Sequence, residues 1–161
     1  MKIIGYHGTN NLSLDFEGID DNYGKFEDHF LGRGFYLFRD SKKRAYQWAK
    51  NRYKNSVKVL EVEIEIEEEK ILNFTSTNWE GEVEIIELFV EVCNNFNIFF
   101  GDFLDFLIDE IGIEIAAIMV IDLKTKNYFI PIQAERKLKT LFAFGDIQVC
   151  IKDKRIIKSV N

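Results

Sequence analysis

At 161 residues, with 47% hydrophobic and 14% aromatic residues, the chain can bury one good core and is too short for two ordinary domains, so a single domain over 1–161 is expected. A net charge of −6 excludes a protein that coats nucleic acid over its whole surface, because that task needs a broad excess of Lys and Arg. No run of about eighteen apolar residues and no basic-then-apolar leader occurs, which predicts a cytoplasmic protein, or one delivered into a target cell, with no membrane partner.

The charge is unevenly divided. From Arg33 to Lys58 nine cations stand against one acid, Asp40, giving +8 there and −14 in the remainder. Such a patch suits phosphates or an acidic partner, or is a solvated helix face. Cys93 and Cys150 lie far apart, without zinc-site or disulfide-framework spacing, and read as buried thiols in a reducing compartment.

In chain order, Lys2–Tyr6 reads as a strand ending at His7. Leu12, Leu14, Phe16 and Ile19 predict a short helix over 10–19, with Asn10 or Asn11 as cap. Residues 20–33 have no period and read as loop. Gly34–Phe38 predicts a brief strand. A helix from Ser41 to about Lys54 follows, with Ala45, Trp48 and Ala49 on one face and most of its cations on the other. Val57–Ile66 alternates: Leu60, Val62, Ile64 and Ile66 are separated by Glu61, Glu63 and Glu65, as in a half-buried strand. The three glutamates project in a row, a solvent face and not a metal site.

Glu82–Val92 and Phe103–Ile111 predict two amphipathic helices, with Phe96, Phe99, Phe100, Phe103 and Phe106 as core or helix-packing residues. Strands are expected at Ile115–Leu123 and Tyr128–Ile132, a helix at Ala134–Leu141, and closing strands at Ile147–Ile151 and Arg155–Val160. Strands at both ends around a helical middle indicate an α+β fold.

Two short stretches carry chemistry. In YHGT, a histidine closing a strand can hydrogen-bond a ligand hydroxyl, and Gly8 allows close approach to a flat amide and offers its backbone N–H and C=O. In GRGFYLFRDSKKRAYQWA, two glycines permit an unusual backbone path, and Tyr36 can present its ring to a planar heterocycle. A lone histidine or tyrosine is usually structural; the conjunction is what matters.

Together these residues resemble the ADP-ribosyltransferase superfamily, in the branch shared by diphtheria toxin and the poly(ADP-ribose) polymerases. Its signature is a His, a Tyr and a third polar residue on three separate strands. His7, Gly8 and Thr9 match the His-Gly-Ser/Thr triplet. Gly32, Arg33, Gly34, Phe35, Tyr36, Leu37 and Ala45 match the tyrosine stretch and the helix after it, and LEVEI (Leu60–Ile64) matches the next strand. The resemblance covers about the first seventy residues and a short C-terminal piece.

It implies a split β-sandwich of two small sheets with flanking helices, NAD as substrate, and no metal. It also implies the roles of individual residues. His7 would bond the adenosine ribose 2′-hydroxyl, Gly8 would clamp the nicotinamide carboxamide, and Tyr36 would stack on the nicotinamide ring. Thr9 and Gly34 would complete the cofactor-binding stretch. Tyr46 or Trp48 would close the other ring face, although Gln47 occupies the usual position. Gln148, in QVCIKD, stands where polymerases carry a catalytic Glu; Asp146 and Glu135 are nearby acids. Arg44 replaces a serine that many members use to reach the carboxamide.

The implied activity is mono-ADP-ribosyl transfer, a pentosyl (glycosyltransferase) reaction that releases nicotinamide, to a protein or nucleic-acid acceptor. The setting would be that of a bacterial or phage toxin, effector or defence factor, with an antitoxin or inhibitor protein as partner. The alternatives are a noncatalytic NAD- or partner-binding module of the same fold, an NAD glycohydrolase, or an NAD-dependent RNA 2′-phosphotransferase. For the last, which needs a second histidine, only His29 is available.

Overall fold

The computed structural model describes residues 1–19, 30–75, 80–96, 98–122 and 146–161. The described chain is α+β: one open, mixed sheet of seven strands and three α-helices. The strands are β1 (Lys2–Thr9), β2 (Phe35–Arg39), β3 (Lys58–Glu65), β4 (Ile71–Asn73), β5 (Ala117–Asp122), β6 (Asp146–Ile151) and β7 (Ile157–Val160). The helices are α1 (Lys42–Tyr53), α2 (Glu80–Asn95) and α3 (Phe100–Asp109). The strands lie in the order β4-β5-β6-β2-β1-β3-β7.

Every ladder is antiparallel except β4–β5. That parallel pair needs a long crossover, and α2 and α3 lie on it. β5 is apolar at every position from Ala117 to Val120 because it has a strand on each side and a core on each face.

The pleat sorts the buried residues into two cores. Phe35, Leu37, Val62, Ile64, Met119 and Val149 belong to one, to which segment 10–19 contributes Leu14 and Ile19. Leu31, Phe89, Phe100, Phe103, Ile118 and Cys150 belong to the other, which α2 and α3 cover. Alternation of side chains along β2, β5 and β6 places these cores on opposite faces.

Several expectations are corrected. Segment 10–19 is a series of turns and not a helix. Asn11 Oδ1 accepts from Ser13 N at 3.2 Å and Asp15 Oδ1 from Gly18 N at 3.1 Å, and such local side-chain bonds compete with helical ones. The expected strand 155–160 begins as a 3-10 turn, Lys154–Ile156, and becomes β7 only at Ile157. Of the five phenylalanines assigned to packing, Phe100 and Phe103 are buried, whereas Phe96, Phe99 and Phe106 are exposed. The elements expected at 128–132 and 134–141 lie outside the described residues.

Where two small sheets were expected, the described strands are continuous, because β2 is paired along both edges. The two seams are unequal. β2 holds β6 through four residue pairs but β1 through only two, Gly5–Arg39 and Tyr6–Phe38. Among the described residues, no helix is long and apolar enough to cross a membrane.

The helical core rests on Phe89, whose ring lies 5.0 Å from that of Phe100 and 5.4 Å from that of Phe103. Phe89→Ala should cost about 3–5 kcal/mol in urea unfolding, whereas Phe96→Ala should change stability by no more than about 0.5 kcal/mol. Equal effects would mean that these helices do not pack as described.

Candidate active site

The turn before β2 is set by packing. Gly32 has φ +78°, and a Cβ there would sit 2.5 Å from Asp105 Oδ2. Gly34 has φ +146°, and a Cβ would sit 2.6 Å from both Cys150 Sγ and the Ile151 carbonyl oxygen. Both glycines therefore have a structural reason to be glycine.

Beneath the turn, the buried Lys152 ammonium donates to the carbonyls of Leu31 (2.6 Å) and Arg33 (2.6 Å) and to Asp105 Oδ1 (2.7 Å). Three acceptors match its three protons. Asp105 Oδ2 accepts from Arg33 N at 2.9 Å, and the Arg33 guanidinium pairs with Asp109.

Tyr36 is fixed at its tip. Its hydroxyl donates to Gly32 O at 2.6 Å and accepts from Leu31 N at 3.0 Å. The hydroxyl is enclosed, and the residue as a whole is half-buried against the helical core. Burial, with Cys150 adding to it, pushes the phenol well above its ordinary pKa. Burial likewise raises the Cys150 thiol, partly offset by the Lys152 charge.

The β1–β2 seam opens beside Tyr36. Asp40 N donates to Ile4 O at 3.1 Å, so by the antiparallel alternation Ile4, Tyr6 and Gly8 direct their N–H and C=O groups toward β2. Pairing ends at Tyr6–Phe38, one period short of Gly8 and Tyr36. There the Tyr36 carbonyl is met by His7 Nδ1, at 2.8 Å. A carbonyl only accepts, so Nδ1 carries a proton; in the neutral ring Nε2 is then the acceptor. The imidazole stacks on Phe35, ring centroids 4.2 Å apart. His7 and Tyr36 thus leave the sheet on opposite faces, and the imidazole meets Tyr36 at the backbone carbonyl in the sheet plane.

On the Tyr36 face, α1 closes over β1. A Cβ on Gly8 would fall on the Ala45 carbonyl oxygen and 2.8 Å from Ala49 Cβ, so the helix approaches only because residue 8 is glycine. Gln148 on β6 is half-buried and opposite Phe38, on the same face as Tyr36. Arg44 spans from α1 to β6, with its guanidinium 5.3 Å from the Phe38 ring centre and 3.5 Å from Asp146 Oδ2. Arg44 therefore neutralises the acid two residues from Gln148.

The other sequence candidates separate. Thr9 is buried, and its Oγ1 accepts from Asn11 N at 3.1 Å, a turn contact. Tyr46 is exposed. Trp48 is half-buried, edge-on to Tyr53 at 6.0 Å and beneath Arg52. His29 and Glu135 lie outside the described residues. Sequence reasoning missed the Arg44–Asp146 bridge and the Lys152–Asp105 pair; only the isolated Lys in QVCIKD hinted at the latter.

A cavity of about 650 Å3 lies elsewhere, lined by Arg33, Lys70, Asp109, Lys152, Asp153 and Arg155 among others; none of His7, Tyr36 and Gln148 borders it. Among the described residues, no group of three or more His, Cys, Asp and Glu side chains forms a metal site. Against protein-family models, curated proteins and solved structures, the chain finds no match.

Two predictions follow from the buried groups. Asp105→Ala strands the Lys152 ammonium, and loss of one partner of a buried pair should cost about 3 kcal/mol in urea; a loss under about 1 kcal/mol would show that the pair does not hold the turn. Cys150 and Tyr36 are acids whose folded pKa values are raised, so the unfolded chain ionises first as pH rises. Stability should decline above about pH 8.5, where an unfolded thiol titrates, and the decline between pH 8.5 and 9.5 should flatten in Cys150→Ala.

Proposed function

We propose that the chain is an NAD-dependent mono-ADP-ribosyltransferase whose nicotinamide site is the opening between β1 and β2. One observation carries this reading: His7 and Gly8, Tyr36, and Gln148 come from three adjacent strands, and pairing between two of them stops where the Gly8 backbone faces β2. A flat carboxamide needs one donor and one acceptor side by side, which a glycine backbone at an opened ladder edge supplies. The thin β1–β2 seam is the feature of the fold that supports the finer architecture the resemblance implies, a split β-sandwich of two small sheets.

Tyr36, with its hydroxyl anchored twice, offers a fixed ring surface for stacking on the pyridinium. His7, on the far face of the sheet, holds the β2 backbone through Nδ1 and the Tyr36 carbonyl, a positioning role. Gln148 bonds the nicotinamide ribose. In the reaction, a lone pair of the acceptor bonds C1′ as the C1′–N bond breaks. The bonding pair passes to the ring nitrogen, nicotinamide leaves neutral, and the acceptor's proton goes to solvent. The protein contributes positioning and water exclusion. A glutamine cannot stabilise the oxocarbenium-like state by charge, which favours transfer of a single unit and slow turnover.

The Arg44–Asp146 bridge favours a second reading, a noncatalytic NAD-binding module, because it removes the nearest described negative charge from the Gln148 strand.

Nicotinamide release from labelled NAD separates the two. The wild type should turn over, His7→Ala and Gln148→Ala should each lower the rate at least about 100-fold with the fold retained by circular dichroism, and Gln148→Glu should keep or raise it. NAD binding without release would select the binding module. Undiminished release in His7→Ala and Gln148→Ala would remove the site from where it is placed.

A further inference from the structure

We infer that the outer face of α1 is the docking surface for a single-stranded nucleic acid, which serves as acceptor of the transfer; the acceptor role rests on the reading above, the docking surface does not. Between Lys42 and Lys54 stand six cations and no carboxylate. The buried residues Ala45 and Ala49 fix which side of the helix meets the sheet. Lys43, Tyr46, Gln47, Lys50 and Lys54 recur at three- and four-residue spacing on the side turned away, and all are exposed.

The arrangement opposes helix stability. No acid lies in the first turn, Ser41 makes no side-chain cap, and Lys42, Lys43 and Arg44 crowd the positive end of the helix dipole. A helix optimised only for solvation would carry its cations at the other end. Here positive charge runs along the whole element.

Its extent selects the ligand. Twelve residues rise about 18 Å, while the pyrophosphate of a dinucleotide meets about one turn, roughly 5.4 Å. One NAD therefore leaves most of the stripe unused, and a chain of phosphates does not. The stripe begins at the candidate site, where Arg44 touches Phe38 and Asp146.

Its composition distinguishes nucleic acid from an acidic protein. Protein interfaces are built around an apolar centre, and the exposed side of α1 has no aliphatic residue. It has instead Tyr46, 47% exposed and set between Lys43 and Lys50, as in surfaces that stack unpaired bases between phosphate contacts.

The test uses the intact protein without NAD, and fluorescently labelled 20-nucleotide single-stranded DNA and RNA. Four phosphate contacts predict a log–log salt slope of about −2.8, or about a fifty-fold loss of affinity from 50 to 200 mM salt. Replacing Lys42, Lys43, Lys50 and Lys54 together by Gln should bring the slope close to zero while leaving nicotinamide release undiminished. Tyr46→Ala should weaken oligonucleotide binding without changing the slope. With NAD, the bound strand should gain the mass of one ADP-ribose.

No binding at 50 mM salt, or equal binding of poly-glutamate, would overturn the docking surface and leave the transferase reading standing. Nicotinamide release with no mass gain on a bound strand would overturn the acceptor assignment alone. Tight binding with no nicotinamide release would sustain the surface and overturn the transferase reading.

Discussion

The Lys152 ammonium under the Gly32–Arg33 turn is the contact on which the site's geometry depends. Its three protons meet Leu31 O, Arg33 O and Asp105 Oδ1, joining the C-terminal end of β6, the loop before β2 and helix α3 at one point. Two of the acceptors are backbone carbonyls, so the contact fixes main chain and not only side chains. The Tyr36 hydroxyl closes on the same turn, donating to Gly32 O and accepting from Leu31 N. The ring is thus positioned by a chain of polar contacts that begins 116 residues further along the sequence. A buried ammonium is tolerable there only because no proton lacks an acceptor.

From that fixed turn, β2 runs between unlike neighbours. Its four pairs with β6 make one firm edge, and its two pairs with β1 make a loose one. Gly8 lies where the loose edge parts and where α1 needs room, so one residue meets two demands: its missing Cβ admits the helix, and its backbone faces the opening. A glycine packed under a helix can in this way still present its backbone to the opening. The packing uses its Cα and the opening uses its amide.

What the sequence revealed was what local periodicity controls. The alternation of β3 and the Ala45/Ala49 spacing of α1 appear as read, because each is set by residues a few positions apart. Leu12, Leu14, Phe16 and Ile19 misled, since an apolar spacing near that of a helix was overridden by Asn11 and Asp15 binding their own backbone neighbours. β4 is only three residues long and exists through pairing with β5, some 46 positions away, so no local pattern announces it. At the site, the quoted motifs located the three strands but not the faces: counting along β1 does not tell that His7 turns toward Phe35 while Tyr36 turns to the helical core. Gly34 looked like a ligand contact in the sequence, whereas its close neighbours are Cys150 and Ile151.

The segregation of charge bears on how such a site would work. From Glu80 to Glu114 the chain holds ten acids and no cation, while the helix beside Gly8 carries the reverse excess. Near the opening, Arg44 cancels Asp146, and position 148 is a neutral amide. The local field is therefore positive, which suits the phosphates of a bound dinucleotide and opposes the positive charge that develops at C1′ as nicotinamide departs. Interactions that hold the ground state more strongly than the transition state tighten binding without accelerating reaction. In an NAD site of this construction, rate would be recovered only if a bound polyanion drew the α1 cations into its own contacts. An acceptor strand lying along α1 would then do more than supply a nucleophile, because it would lower the positive potential that stands against bond cleavage.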